Sequence, residues 1–308
     1  MVPVLILAYC RLHTLQQVLE AVKFQNAHSI YVSCDAPRQG DETKQREVLE
    51  FLEFQLRLGV IKKLHVREKN RGLAMAVLDG VSWFFEHEDF GLILEDDIVI
   101  IDGALQLVEI GGQLLQKDKT LNCLAIRNTV PVKFLSAETH IFRKSSLISS
   151  HGWATTSLKW NKFRKQALKN FELPTRHDLP KYLGLFPRLA FIEAMKNNMK
   201  KLDEETNSWD LYLQTYLFQM QGMNLNSNVN YVRYVGYGEG SSHHILPPRR
   251  KDIREIGDLR SGLKIGYADS ISTSADKYRF KVEMRHTWLR FMVRKLGVNQ
   301  VFSNRYNW

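Results

Sequence analysis

The first hundred residues alternate between short apolar runs and segments in which apolar residues recur every three or four positions. The runs predict strands buried on both faces, at 2–8, 29–34, 61–66 and 91–94. The segments between them predict helices, near 15–22, 43–58 and 72–85. Strands that alternate with helices in this way are typical of an α/β fold with a mostly parallel sheet between helix layers.

The pattern changes after residue 102. Strands are predicted at 122–126, 139–143 and 228–235, with a loop around Gly152 and Trp153. Helices are predicted at 209–216 and, with a basic and aromatic composition, at 278–296. The stretch that leads to this last helix is basic and irregular, which predicts a C-terminal extension at 246–308.

Three consecutive acids, Glu95, Asp96 and Asp97, lie between the apolar run at 91–94 and a second run at 98–101. Adjacent carboxylates repel one another, and burying them unpaired is costly. This acid cluster therefore needs a cation or hydrogen-bond donors, and oxygen ligands favour Mg²⁺ or Mn²⁺. In an open α/β sheet, ligands bind at the carboxyl ends of strands. The alternative is a solvated acidic turn.

Composition narrows the class of protein. The chain has 308 residues, 44% of them hydrophobic, which is enough for a full core. It has no apolar stretch of about 18 residues, so no membrane-spanning helix is expected. Residues 1–9 lack the basic start and cleavage site of a signal peptide and are interpreted as a strand. Cys10, Cys34 and Cys123 show no metal-binding spacing, which favours a reducing, cytoplasmic location.

The formal net charge of +10 predicts an anionic partner, such as nucleic acid, anionic lipid or a phosphorylated small molecule. No zinc-finger, homeodomain or RRM pattern occurs, so nucleic acid is not expected. The basic stretch 277–295 fits peripheral contact with an anionic membrane at its inner, cytoplasmic face, or a helix packed on the domain.

Seven short motifs follow one another along residues 2–245. They are P-V-L-I-L-A-Y-C-R from Pro3 to Arg11, Asp35 after the second strand, N-R-G-L from Asn70, the acid cluster, H-G-W-A-T from His151, S-W-D ending at Asp210, and G-Y-G-E leading to His243. Together they resemble the motifs of GT-A fold, nucleotide-sugar-dependent glycosyltransferases, particularly bacterial enzymes near glycosyltransferase family two. Cys10 departs from that pattern, which usually has Asn. The acid cluster also resembles the E-D-D-L of animal N-acetylglucosaminyltransferase I.

The resemblance implies a GT-A (Rossmann-like) domain at 1–245, with a nucleotide-binding half at 1–102 and an acceptor-side half at 103–245. It implies that Asp97 and His243 hold a divalent metal, Mn²⁺ or Mg²⁺. The implied donor-binding residues are Pro3, Ala8, Tyr9, Arg11, Asp35, Arg71, Glu95, Asp96, Gly152 and Trp153. Among them, Asp35 is expected to bind the base, commonly uracil, and Arg71 the diphosphate.

The resemblance also implies that Asp210 is the general base for an acceptor hydroxyl. The function predicted in this way is transfer of a hexosyl or N-acetylhexosaminyl group from a nucleoside-diphosphate sugar, a UDP-sugar. The acceptor is a glycan or lipid-linked glycan, the transfer inverts the anomeric carbon, and the process is surface polysaccharide or glycan assembly.

Two other functions remain open. A nucleotidyltransferase also places acids at strand ends, but it usually has a Gly-rich basic loop after the first strand, where this chain has R-L-H-T. A non-enzymatic basic binding protein does not need acids at the end of a buried strand. The motif residues also have structural alternatives: Arg71 and His243 at the surface, Asp35 as a turn cap, Trp153 in the core and Asp210 in solvent.

Overall fold

The computed structural model describes residues 1–169, 171–200, 208–237 and 262–295. Its first part has the predicted alternation of strands and helices, with small differences at the ends of the elements. The bounds are β1 (Pro3–Ala8), α1 (Leu12–Phe24), β2 (Ser29–Cys34), α2 (Glu42–Arg57), β3 (Lys63–Val66), α3 (Leu73–Phe84) and β4 (Phe90–Glu95).

The second part differs more from the prediction. Its elements are β5 (Ile98–Ile100), α4 (Ala104–Lys117), β6 (Leu121–Ala125), β7 (His140–Ser145), β8 (Trp153–Thr156), α5 (Ser157–Lys169), α6 (Leu185–Lys200), α7 (Trp209–Gln219), β9 (Met223–Ser227), β10 (Val232–Tyr234), β11 (Lys264–Ile271) and α8 (Thr273–Lys295). The predicted loop at Trp153 is wrong, because this residue begins β8, which pairs antiparallel with β4 and β6. The single strand predicted at 228–235 is shorter and follows a further strand, β9.

Nine of these strands form one sheet in the order β11-β7-β9-β6-β8-β4-β1-β2-β3 within the described residues. Five of its eight pairings are parallel. The chain leaves β1 for β2 and β3 and then returns to β4 on the other side of β1, so a topological switch point lies between β1 and β4. Such points, at the carboxyl ends of the strands, are where open α/β sheets bind ligands.

Helices cover both faces of the sheet. Along β1, Val4 and Ile6 point to a core shared with α1, α2 and α4, while Leu5 points to a second core shared with α3, α5 and α7. This alternation follows from the two-residue period of a strand. The predicted fold class, α/β with a mostly parallel sheet between helices, is confirmed.

The C-terminal part joins this fold. The strand β11 pairs parallel with β7 at the edge of the sheet, and α8 begins at Thr273, earlier than the predicted 278. Phe280 of α8 is buried against Phe191 and Phe218. The domain boundary predicted at 245 lies outside the described residues. Among the described helices, none is both long enough and apolar enough to span a bilayer.

The carboxylate of Asp276 ties the first turn of α8 to the end of β7. It is 2% exposed and accepts hydrogen bonds from the Ser145 hydroxyl (2.5 Å), the Ser146 main-chain N–H (2.9 Å) and hydroxyl (3.2 Å), and the Tyr182 hydroxyl (2.8 Å). Removing it leaves several buried donors without an acceptor, which is costly.

We therefore expect Asp276→Ala to lower the free energy of unfolding by about 3 kcal/mol in a urea titration. Asp269→Ala, which removes the fully exposed acid that faces Lys144 at 3.7 Å, is the matched control and should change it by less than about 0.5 kcal/mol. Equal effects of the two substitutions would contradict an anchoring role for Asp276.

Candidate active site

The switch point brings the end of β1 against the acid cluster. The Arg11 guanidinium forms ion pairs with Asp96 and, at 2.5 Å, with Oδ2 of Asp97. The main-chain N–H of Tyr9 donates to Oδ2 of Asp96 at 3.0 Å. Asp96 and Asp97 are 1% and 3% exposed. The two terminal nitrogens of one guanidinium thus bridge two buried carboxylates, with one nitrogen on each.

Among the described residues, one oxygen of Asp97 has no hydrogen-bond partner. This atom, Oδ1, is buried. The turn after β10 closes over this residue: the Val235 N–H donates to the Asp97 main-chain oxygen at 2.9 Å. A Cβ on Gly236 would lie 2.4 Å from Oδ2, so only glycine fits this approach. A buried carboxylate oxygen with no donor is an available ligand for a cation.

Among the described residues, negative charge exceeds positive charge at the acid cluster, and the pKa shifts reflect this. Burial, followed by the charges of Asp97 and Asp96, raises the pKa of Glu95 to about 8. Burial also raises the pKa of Asp96, although Arg11 opposes this rise. For Arg11, burial lowers the pKa, but the two carboxylates outweigh it and the net shift is upward. One arginine therefore offsets the three acids only in part.

These residues fit a divalent ion whose other ligands are water and substrate phosphates. No group of three or more His, Cys, Asp and Glu side chains that suits a metal occurs within the described ranges. Mg²⁺, however, is usually held by one or two carboxylates, with water and substrate phosphates as its other ligands. The unpartnered Asp97 oxygen meets that requirement. The predicted ligand His243 lies outside the described residues.

The region expected to bind the base is organised by an arginine that the sequence analysis missed. Arg67 pairs with Asp35 at 2.7 Å and with Asp79 at 3.0 Å, and both Arg67 and Asp35 are buried. Burial raises the pKa of Asp35, with Arg67 as the main opposing influence. The parallel register of β2 and β3 pairs Cys34 with Val66, which places the next residues, Asp35 and Arg67, side by side.

The loop before α3 lies against this region. The Asn70 side-chain amide donates to the Ala36 carbonyl at 2.8 Å, and its oxygen accepts from the Gly72 N–H at 3.0 Å. Arg71 is exposed and directly precedes the amino end of α3. Free N–H groups at that end of a helix and a cationic side chain together suit a phosphate.

Two predicted donor-site residues are placed elsewhere. Pro3 lies at the amino end of β1, about 16 Å along the strand from Ala8, so the fold does not bring it to the site. The Trp153 side chain is 1% exposed and packs on Trp160 and Trp209, so it belongs to the core. A buried tryptophan beside a glycine turn gives no sequence signal that separates core from ligand contact.

Two other predicted residues reach the site through the main chain. The Ala8 carbonyl accepts from the Asp35 N–H at 3.0 Å, which joins the ends of β1 and β2. Gly152 has φ of +79°, and a Cβ there would lie 3.0 Å from both Ile126 and Val232. The backbone before β8 can therefore take this turn only with glycine.

Asp210 lies in the first turn of α7. It is half-buried, accepts a hydrogen bond from the Ser208 hydroxyl, and its charge contributes to the raised pKa of Glu95. It also lines a cavity of about 320 Å³ between α7, α8 and the loop before β8. The ring of His151 in this loop packs edge-on against Tyr234. One carboxylate thus both contributes to the electrostatics of the acid cluster and lines a cavity.

The chain matches no protein-family model and no curated protein sequence. Among solved structures, it is similar to the mannosyltransferase PcManGT of Pyrobaculum calidifontis in complex with GDP-Man and Mn²⁺ (12% identity, 71% of this chain, 68% of that chain, TM-score 0.38). It is also similar to a UDP-glucose pyrophosphorylase complexed with UDP-glucose (10% identity, 75% of this chain, 91% of that chain, TM-score 0.38). A third similar structure is the glycosyltransferase GlyE of Streptococcus pneumoniae (14% identity, 73% of this chain, 44% of that chain, TM-score 0.36). Similarity at this level assigns neither a site nor a function to this chain.

Proposed function

We propose that this protein is a metal-dependent glycosyltransferase that moves a sugar from a nucleoside-diphosphate sugar, a UDP-sugar, to an acceptor hydroxyl. The observation that supports it is the acid cluster at the switch point, with its unpartnered Asp97 oxygen, in one site with Asp210 at the edge of a cavity. This arrangement has a place for a cation, a place for a second substrate, and a carboxylate between them.

On the donor side, Asp97 and His243 are the proposed metal ligands, and a bound divalent ion would stabilise the charge that develops on the leaving diphosphate. Arg71 is proposed to bind the diphosphate from the amino end of α3. Asp35 is proposed to bind the base, with its carboxylate held in place by Arg67. Among the described residues only Oδ1 of Asp35 is engaged, which leaves Oδ2 for the base.

On the acceptor side, Asp210 is the proposed general base. It accepts the proton of the acceptor hydroxyl as that oxygen attacks the anomeric carbon and the bond to the diphosphate breaks. A base that acts opposite the leaving group gives inversion, as the family resemblance implies. A glycan or a lipid-linked glycan is the proposed acceptor, in surface polysaccharide or glycan assembly at the cytoplasmic face of a membrane.

The test is calorimetric titration of the full chain with UDP, GDP and CDP, each with and without Mn²⁺. We expect one nucleotide, UDP, to bind only with the metal, and Asp97→Ala to weaken that binding by about 100-fold. Asp102→Ala removes an exposed acid five residues away and should leave the affinity unchanged. Nucleotide binding that is equal without metal and in Asp97→Ala would overturn the proposal, as would no binding by a folded sample.

A titration with UTP and an assay of pyrophosphate release test the rival enzyme class. A nucleotidyltransferase takes a nucleoside triphosphate and a sugar 1-phosphate, and it releases pyrophosphate. Tighter binding of UTP than of UDP, with pyrophosphate release when glucose 1-phosphate is added, would identify that reaction instead.

A further inference from the structure

The cavity beside Asp210 has one wall built by the C-terminal helix. Leu211 of α7 and Phe280 and Met284 of α8 line it with apolar groups. Residues 147–151, in the loop before β8, also line it. Helix α8 is far from the acid cluster in sequence, and no motif predicted a role for it in the site.

These walls are fixed by hydrogen bonds. The Gln214 side chain on α7 accepts from the Ile148 N–H at 3.0 Å and donates to the Ser146 carbonyl at 2.9 Å. The Arg279 guanidinium on α8, which is 8% exposed, donates to the Ile148 carbonyl. Asp276 holds the start of the same helix. A cavity whose walls are fixed before a ligand arrives binds it at a lower entropic cost.

Gln214 and Arg279 use hydrogen-bonding groups to hold the walls of the cavity. Glu283, in contrast, has one carboxylate oxygen that can accept further hydrogen bonds. One Glu283 oxygen accepts from Arg279 Nε at 2.6 Å across one helical turn, and the side chain is 42% exposed at the cavity. A carboxylate offers about four acceptor positions, so the second oxygen is available for hydroxyl donors.

The balance of charge and polarity indicates the kind of ligand. Arg279 and Glu283 offset each other, and Arg127 and Asp210 add one charge of each sign to the lining, so the described charges of the cavity balance. Apolar surface next to hydroxyl, guanidinium and carboxylate groups suits a ring that has C–H faces and hydroxyl edges. A volume of about 320 Å³ is at the lower end of small-ligand pockets, which span roughly 300–1,000 Å³.

We propose that this cavity holds the terminal sugar of the acceptor, and that Glu283 selects it by accepting hydrogen bonds from its hydroxyls. The proposal rests on the glycosyltransferase function and names the acceptor class for the same site. The acceptor hydroxyl then lies near Asp210, and the hydroxyls further from the reaction reach α8. Glu283 is a specificity-determining residue in this proposal, and it does not take part in the chemical step.

The test is saturation-transfer NMR of the full chain with the methyl glycosides of glucose, galactose, mannose and N-acetylglucosamine, with and without UDP and Mg²⁺. We expect at least one glycoside to bind, and Glu283→Gln to weaken it by about 5- to 10-fold, since a neutral amide replaces a charged acceptor. Lys281→Gln alters an exposed residue of α8 that does not line the cavity, and it should change nothing.

Nucleotide affinity is measured on the same samples and should be unchanged by Glu283→Gln. If UDP binds but no glycoside does, or if Glu283→Gln and Lys281→Gln give equal affinities, the acceptor proposal is wrong while the glycosyltransferase proposal stands. If no nucleotide binds, the proposed function itself fails.

Discussion

Replacing Asp210 with Asn is expected to slow sugar transfer by about 10²- to 10⁴-fold while UDP still binds with unchanged affinity. The carboxamide keeps the size of the side chain and can still accept from the Ser208 hydroxyl, but it cannot take a proton. The measurement is the rate of UDP release from a UDP-sugar with a methyl glycoside acceptor, beside a UDP titration of the same variant.

Ser208→Ala is the control that separates the positioning of Asp210 from its role as a base. It removes the hydroxyl that donates to Asp210 but leaves the carboxylate, so the loss of this one hydrogen bond should slow transfer by at most about tenfold. A rate for Asp210→Asn equal to that of Ser208→Ala would show that Asp210 is not the base.

Replacing Arg11 with Ala is expected to lower the free energy of unfolding by about 3 kcal/mol at neutral pH, because Asp96 and Asp97 lose the cation that both contact. Urea titration measures this change. Added Mn²⁺ should raise the stability of Arg11→Ala more than that of the wild type, since a divalent ion would then offset the same carboxylates.

Two variants calibrate this result. Arg11→Lys keeps the charge but loses the planar guanidinium, whose two terminal nitrogens contact Asp96 and Asp97, so it should recover only part of the stability. Arg46→Ala removes an exposed arginine of α2 and should have an effect below about 0.5 kcal/mol. An Arg11→Ala protein as stable as Arg46→Ala would contradict the importance of the ion pair.

The early half of the fold and the acid cluster were predictable because their signals are local. Buried parallel strands appear as apolar runs, and the acids after β4 interrupt one of them directly. The ion pairs of Arg11 depend instead on β1 and β4 being neighbours, which brings residues 85 and 86 positions apart together. Local periodicity carries no such information, although the order of strands around a switch point does.

The later half was harder for physical reasons. The strand β8 has only four residues and fills the space between β4 and β6, so its position depends on tertiary pairing. The strand β11 is largely exposed, and its register with β7 is irregular, which removes the alternation that a prediction needs. Because α8 follows β11, its place beside Asp210 was equally hidden, and with it the candidate role of Glu283.

The most direct test of the metal and donor site is a crystal structure with UDP and Mn²⁺, with data collected at the manganese absorption edge. We expect one anomalous peak within about 2–2.5 Å of Oδ1 of Asp97, with the UDP diphosphate on its other side. Bound UDP with no manganese at Asp97 would contradict the proposed metal and donor site.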